Sequence, residues 1–277
     1  MLGYGVCKAL DQHCILRITG RRNIDQLKSK LKGQHTFISD VEINQLKSIS
    51  DIKSIFGQPE DIDFIVNCVG YISHNLQGLV SGYYNTLEYL ATNIGFPLLL
   101  SEVYGSKLIH PSSDSVFNGK NAPYSENSIG DPDYDLYGYS KLCSEKISPN
   151  STVLRACIIG EELETKKHLL EWFRYTENDI KGFTNWFCTP ITSIEFGNLC
   201  LRLFQENTLY PMLMNLATER VSKYTLLQMY NKKRKLNKYI QPIEYHRYMD
   251  KSLKTKYDYI LKLPTLEQMM DRLIEED

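Results

Sequence analysis

Ser113, Tyr137 and Lys141 have the types and spacing of a proton-handling site. Ser113 follows the apolar run Lys107-Leu-Ile-His-Pro111, and Tyr137-Gly-Tyr-Ser-Lys141 sets a phenol and an ammonium four residues apart. On a helix those two positions share one face. A cation beside a phenol favours the phenolate and lowers a pKa of ~10, so Tyr137 becomes a workable proton donor or acceptor near neutral pH. The spacing alone also fits a pair of surface residues. The chain has 19 tyrosines, and Tyr4-Gly-Val-Cys-Lys8 repeats the spacing with no strand-end serine before it.

Positioning these residues needs a sheet. Short, nearly unbroken apolar runs at Cys14–Thr19, His35–Ile38, Asp63–Asn67 and Lys107–His110 alternate with amphipathic stretches at Val6–Gln12, Ile24–Leu31 and Tyr83–Tyr104. That alternation predicts a parallel sheet covered on both faces by crossover helices. After a turn-rich stretch from Asn118 to Asp135 come a helix from about Leu136, a strand from Ser151 onward to Ile159 and a helix around Leu169–Thr176. Further helices are expected at Ser193–Gln205, from Ser222 and after Pro264, with a short apolar run at Met212–Leu216. The expected fold class is α/β, a doubly wound parallel sheet with a smaller C-terminal α+β substrate region. Residues 1–155 form the sheet domain, and 156–277 are mainly substrate-binding, with some segments returning to the main sheet. Ligands of such sheets bind beyond the carboxyl ends of the strands. Polar residues fall there at Asn67, with Val69 and Gly70 just after it, at Ser112 and Ser113, and at Arg155.

Composition narrows the function further. The chain has 277 residues, of which 42% are apolar, enough to bury a sizeable core. Thirty-two basic against thirty-three acidic residues give a formal net charge of -1, which supplies no broad positive surface for nucleic acid. A small-molecule partner is expected. No apolar run approaches the ~18 residues of a membrane span and no signal peptide opens the chain, which predicts a cytoplasmic protein without membrane contact. Seven scattered cysteines and six histidines show no metal-site spacing, so buried free thiols and no metal are expected.

Several stretches together resemble a known family. His110-Pro-Ser-Ser-Asp-Ser-Val-Phe-Asn-Gly119, Pro123-Tyr-Ser-Glu126 and Tyr137-Gly-Tyr-Ser-Lys-Leu-Cys-Ser-Glu145 are similar to the core of the dTDP-4-dehydrorhamnose reductase family, extended short-chain dehydrogenases of Rossmann-like fold. Asn67-Cys-Val-Gly70, Asn93-Ile-Gly-Phe-Pro97, Val153-Leu-Arg155, Val221-Ser-Lys-Tyr224 and Asp250-Lys-Ser-Leu253 extend the resemblance over most of the chain. It implies that Ser113 is the catalytic Ser/Thr, Tyr137 the general acid, and Lys141 the residue that holds the nicotinamide ribose and tunes Tyr137. The implied reaction is hydride delivery from the nicotinamide to a keto carbon of a nucleotide-linked 4-keto-6-deoxy sugar. Cofactor contacts are expected from Gly3, Arg21, Arg22, Asn67, Val69, Gly70, Asn93, Tyr137 and Lys141. NADPH is favoured over NADH because Gly20-Arg21-Arg22 follows the strand that ends at Thr19, where NAD enzymes usually place an acid. Asp114-Ser115, where dehydratases carry Asp-Glu, disfavours dehydration. Arg155 is followed by Ala-Cys-Ile158 where many rhamnose-pathway reductases have a Trp, which leaves the sugar open. The rivals are an epimerase of the same superfamily and a non-catalytic NADP-binding regulatory subunit, because the methionine adenosyltransferase β subunit resembles this family. The oligomeric state stays open, with a homodimer among the expectations.

Other features read more plainly. Lys232-Lys-Arg-Lys235 is expected as a solvated helix end, His110 as a satisfied core residue, and Trp172 and Trp186 as either core or substrate side. The start, Met1-Leu-Gly-Tyr-Gly5, aligns with the end of a glycine-rich turn, making Gly3 the last fingerprint glycine. The resemblance therefore implies a functional form with roughly ten more residues, a strand of ~5–6 residues plus a glycine turn, and weak NADPH binding and aggregation without them.

Overall fold

The computed structural model describes residues 1–22, 24–72, 86–132, 135–147, 150–164, 166–177, 179–206 and 210–275. Helix α1 (Leu2–Leu10) leads to β1 (Arg17–Thr19), α2 (Asp25–Lys28), β2 (Thr36–Ile38), α3 (Ile49–Phe56) and β3 (Ile65–Val66). A π-helical segment, Tyr89–Gly95, runs directly into α4 (Phe96–Tyr104), which is followed by β4 (Leu108–Ser113), α5 (Leu136–Ile147) and β5 (Thr152–Ile159). Beyond these lie α6 (Leu169–Tyr175), β6 (Ile180–Phe183), β7 (Trp186–Cys188), β8 (Pro190–Thr192), α7 (Ser193–Glu206) and β9 (Leu213–Asn215). The chain closes with β10 (Val221–Ser222), α8 (Lys223–Lys233), β11 (Ile240–Ile243), β12 (Met249–Asp250), α9 (Asp258–Leu261) and α10 (Leu266–Glu275).

The main sheet runs β3-β4-β5-β8, with β9 also on β5, and every pairing in it is parallel. Helices cover both faces, as a parallel sheet requires. One face carries a large apolar core that includes Val6 and Leu10 of α1, Leu199 and Leu203 of α7, Tyr230 of α8 and Met269 of α10. The other buries Ile52 and Phe56 of α3 against Phe96, Leu100 and Tyr104 of α4. Helices α1 and α7 meet closely: a Cβ on Gly5 would stand 2.2 Å from Ser193 Oγ, and one on Gly197 would stand 2.6 Å from Ala9 Cβ. Strands β1 and β2 pair in parallel as a separate two-stranded sheet. Two smaller pairings, β6 with β11 and β7 with β10 and β12, involve residues beyond 155, while β8 and β9 join the main sheet.

The architecture is the expected one, with differences at the level of elements. The second helix is a single turn, Asp25–Lys28, instead of Ile24–Leu31. Strand β4 runs three residues past His110, so Pro111, Ser112 and Ser113 are strand residues; the missing N–H of Pro111 does not break a ladder already anchored on both sides. Helix α3 was not expected. Its start is a capping box in which Asp51 N–H donates to Ser48 Oγ (3.2 Å) and Ser48 N–H donates to Asp51 Oδ2 (2.9 Å). Residues 83–85 of the expected Tyr83–Tyr104 helix lie outside the described residues; of the rest, 86–88 are α-helical, Tyr89–Gly95 is π-helical, and the α-helix resumes at Phe96, just before Pro97.

Candidate active site

The carboxyl end of β4 carries the first of the three chemical groups. Every residue of β4 is buried, and Ser113 Oγ accepts from the Ser115 N–H (3.1 Å), turning the chain sharply out of the sheet. Helix α5 then brings Tyr137 back, close enough for the Ser113 side chain to favour its phenolate. Gly138 permits that approach: a Cβ there would lie 2.3 Å from the Ser115 carbonyl oxygen and 2.8 Å from Pro132 Cβ. Lys141 follows one turn later on the same helix and is buried. Ser113, Tyr137 and Lys141 therefore converge where the sequence places them.

The electrostatics differ from expectation. Burial pushes the Tyr137 phenol well above its ordinary value, with the Ser113 side chain opposing it only in part and Asp114 and Asp135 reinforcing the rise. Lys141 is not what governs this phenol; desolvation disfavours a phenolate more than the ammonium favours it. Tyr137 stays protonated near neutral pH, the state a proton donor needs. Burial lowers Lys141 itself to about 8, opposed by Glu145. Among the described residues no carboxylate lies within ion-pair distance of it. Asp114, beside Ser113, is raised by burial against the pull of Lys251 and Lys223.

A layer of polar contacts fixes this corner. Glu145, one turn beyond Lys141, accepts two hydrogen bonds from Arg155 (2.8 and 2.7 Å) and one from Ser112 (2.5 Å), tying α5 to β5 and β4. The Arg155 guanidinium also lies 5.0 Å from the Phe117 ring centre. His110 bridges Asn67 (3.1 Å) and Ser144 (3.0 Å) and is held neutral by burial, a satisfied core residue. Asn93 accepts from Tyr71 N–H and donates to the Tyr71 carbonyl and to Ser140 Oγ, joining the loop after β3 to α5. Sequence reasoning set Asn67 and Asn93 among the cofactor contacts; here their amides serve protein partners and position the loop that carries Val69 and Gly70. It gave no role to Gly138 or Glu145. The capped turn Ser113–Val116 meeting a Gly in the first turn of α5 is the signal that could have found the former.

The remaining expected residues spread along the carboxyl ends of β1 and β3. Arg21 and Arg22 are exposed just past β1, and Gly70 is exposed past β3, where a Cβ would stand 3.9 Å from Asn93 Oδ1. Gly3 lies in the first turn of α1 against Cys68, its Cβ position 3.4 Å from the Cys68 Cβ. No side chain caps α1, so its amino end presents backbone donors, as an anion site does. These features and the Lys141 ammonium, without an ion-pair partner among the described residues, fit a nicotinamide dinucleotide: backbone donors for its diphosphate, arginines for a 2′-phosphate, and ribose hydroxyls as acceptors for Lys141.

Trp172 is partly exposed on α6. Trp186 packs between Phe183 (5.9 Å between ring centres) and Tyr245 (4.6 Å), with Lys223 Nζ 3.5 Å above its ring. Lys232 and Lys235 are exposed at the end of α8, while Lys233 pairs with Glu267 and Asp271 of α10 and Arg234 with Glu161. All seven cysteines are unpaired, and Cys143 is exposed. No helix among the described residues is long and apolar enough to cross a membrane.

No family model matches the chain. Over 141 residues it is 30% identical to the Danio rerio methionine adenosyltransferase 2 subunit beta, a stretch covering 46% of this chain and 43% of the relative. The chain thus matches less than half the length of this relative. Among solved structures, the dTDP-4-dehydrorhamnose reductase of Bacillus anthracis in complex with NADP superposes with a TM-score of 0.70 at 15% identity, covering 95% of this chain and 100% of that one. The UDP-glucose 4-epimerase of Thermotoga maritima, with UDP-glucose, gives 0.72 at 14% identity, covering 100% and 95%. The fold of this chain is therefore the Rossmann-like fold of the extended short-chain dehydrogenases, shared with the dTDP-4-dehydrorhamnose reductases that its motifs resemble and with nucleotide-sugar epimerases.

Proposed function

We propose that this protein is an NADPH-dependent reductase of a nucleotide-linked 4-keto-6-deoxy sugar, acting in the cytoplasm, with Tyr137 as general acid. The observation that carries this reading is the half-buried Tyr137 beside the buried Ser113, with buried Lys141, which has no ion-pair partner among the described residues, one turn on, at a strand end of this fold. The bound nicotinamide supplies the hydride. Ser113 and Tyr137 hydrogen-bond the ketone oxygen, and Tyr137 gives its phenolic proton to that oxygen as negative charge develops there. Lys141 holds ribose hydroxyls and stabilises the phenolate left behind. Trp186 and Tyr245 offer rings for a base to stack on, with the Lys223 cation beside them for an anionic substrate. The exposed Arg21 and Arg22 support NADPH over NADH. The test is NADPH oxidation, read at the nicotinamide absorbance, across a panel of 4-keto nucleotide sugars; turnover with none of them contradicts the reading.

A second reading rests on the 30% identity to a methionine adenosyltransferase β subunit. In it the same pocket binds NADP and the protein serves as a regulatory subunit. Stable co-elution with a methionine adenosyltransferase catalytic subunit, together with silence across the sugar panel, would favour it. Epimerisation uses the same three residues and is distinguished by product formation without net NADPH consumption.

A further inference from the structure

Ser113 has one hydroxyl proton, and its nearest side-chain neighbour in the turn competes for it. Its Oγ stands 3.3 Å from Oδ1 of Asp114 and accepts from the Ser115 N–H (3.1 Å). With Asp114 ionised, the carboxylate only accepts, so the Ser113 proton points at Asp114 and away from a substrate. With Asp114 protonated, the same contact reverses. The acid O–H donates to Ser113 Oγ, both lone pairs of that oxygen are then filled by Ser115 and Asp114, and the Ser113 proton is left for a ketone oxygen. The charge of Asp114 therefore decides whether Ser113 is a donor to substrate.

The surroundings of Asp114 favour the acid. Asp114 and Ser113 are each only 7% exposed. The titratable and charged groups that face Asp114 come from every element packed around it: Lys223 at the start of α8, Lys251 just after β12, Cys157 of β5 with Cys188 of β7 behind it, and Tyr137 of α5. Among the described residues neither lysine comes within ion-pair distance of it, and the Lys223 ammonium lies over the Trp186 ring instead (3.5 Å). Their pull on the carboxyl is outweighed by burial, which raises it above its ordinary value. A buried carboxyl with no ion pair meets that penalty by keeping its proton. The acid form also serves Tyr137, because a negative Asp114 raises the phenol and opposes the phenolate left after proton transfer.

We propose that Asp114 is a positioning residue that works as a carboxylic acid: its O–H holds Ser113 Oγ as an acceptor and so aims the Ser113 proton at the substrate oxygen. Asp114 keeps its proton throughout, and the one proton transferred is that of Tyr137. The proposal rests on the reductase reading for the identity of that oxygen. The test compares Asp114→Asn, whose amide N–H donates in place of the acid O–H at every pH, with Asp114→Ala, which donates nothing. Asp114→Ala is expected to lower kcat at least tenfold with NADPH affinity changed less than about twofold, and Asp114→Asn to recover most of that loss. In the unaltered protein kcat/KM falls as pH rises and Asp114 ionises; in Asp114→Asn the fall is expected to move upward, to the region where Lys141 loses its proton, about 8. Equal kcat in the two variants, or a fall that does not move, would overturn the proposal. Infrared difference spectra read the Asp114 proton without turnover: the carbonyl band of a protonated carboxylic acid is expected at pH 7 in the unaltered protein and is lost in Asp114→Asn. Absence of that band from the unaltered protein would also overturn the proposal, whereas the band together with silence across the sugar panel would contradict the reductase reading alone.

Discussion

Lys141 is buried and Tyr137 half-buried, and desolvation acts on them in opposite directions. The phenol rises, which suits a donor, and the ammonium falls to about 8 from an ordinary value of 10.5. Below about pH 8 Lys141 is charged in folded and unfolded chains alike, and the folded state bears the whole desolvation penalty. Between 8 and 10.5 the folded form is neutral while the unfolded form still binds a proton, so the penalty fades as pH rises. Lys141→Met is therefore expected to abolish turnover yet stabilise the fold near pH 7 by on the order of 2 kcal/mol, with the gain shrinking toward about pH 10. Thermal midpoints of both proteins at the two pH values check this; a loss of stability at pH 7 would contradict it. At the other end of the expected cofactor site, neutral replacements of Arg21 and Arg22 should weaken NADPH more than NADH, because only NADPH presents a 2′-phosphate. Equal weakening, measured by fluorescence titration, would assign the arginines a structural part. The identity and spacing of Ser113, Tyr137 and Lys141 were legible in the sequence because a helix period and a strand end leave a local pattern. The direction of the Tyr137 shift was not, because it depends on how deeply a distant turn and helix bury the ring.

At the scale of elements, α5 delivers both Tyr137 and Lys141, so whatever fixes α5 fixes the site. Gly138 lets its first turn touch the turn after β4. Gly138→Ala is expected to cost roughly 1–3 kcal/mol of stability and to lower kcat at least tenfold, with cofactor affinity less affected, as Tyr137 is pushed away from Ser113. An unchanged kcat would show that the close approach is dispensable. The buried pair of Glu145 with Arg155 fixes the other end. Glu145→Ala leaves the Arg155 guanidinium without its partner and should destabilise the protein by about 3–5 kcal/mol, measurable by urea unfolding. Strand and helix positions were largely readable, since β4, β5, α7 and α10 carry clear apolar periods. The extension of β4 through Pro111 was hidden because proline argues against a strand unless neighbours on both sides hold it. α3 was missed although Ser48 and Asp51 spell a capping box, because its apolar positions span a bare two turns.

Across the whole molecule the parallel sheet does the organising. β3 and β4 run parallel, so Gly70 and Ser113, far apart in sequence, follow the carboxyl ends of neighbouring strands. Fold class was legible from the alternation of short apolar and amphipathic runs, which only a few architectures can bury. The pairing of β6 with β11 and of β7 with β10 and β12 was not, because these strands are two to four residues long and joined across long stretches of chain. The central claim is that this arrangement reduces a sugar ketone with a proton from Tyr137. Its most direct test is the rate of NADPH oxidation with the best 4-keto nucleotide sugar of the panel, comparing the protein with Tyr137→Phe. The account predicts substrate-dependent oxidation that falls by about 10²-fold or more in Tyr137→Phe while NADPH binding is retained. Oxidation at the same rate in Tyr137→Phe, or none with any sugar of the panel, would contradict it.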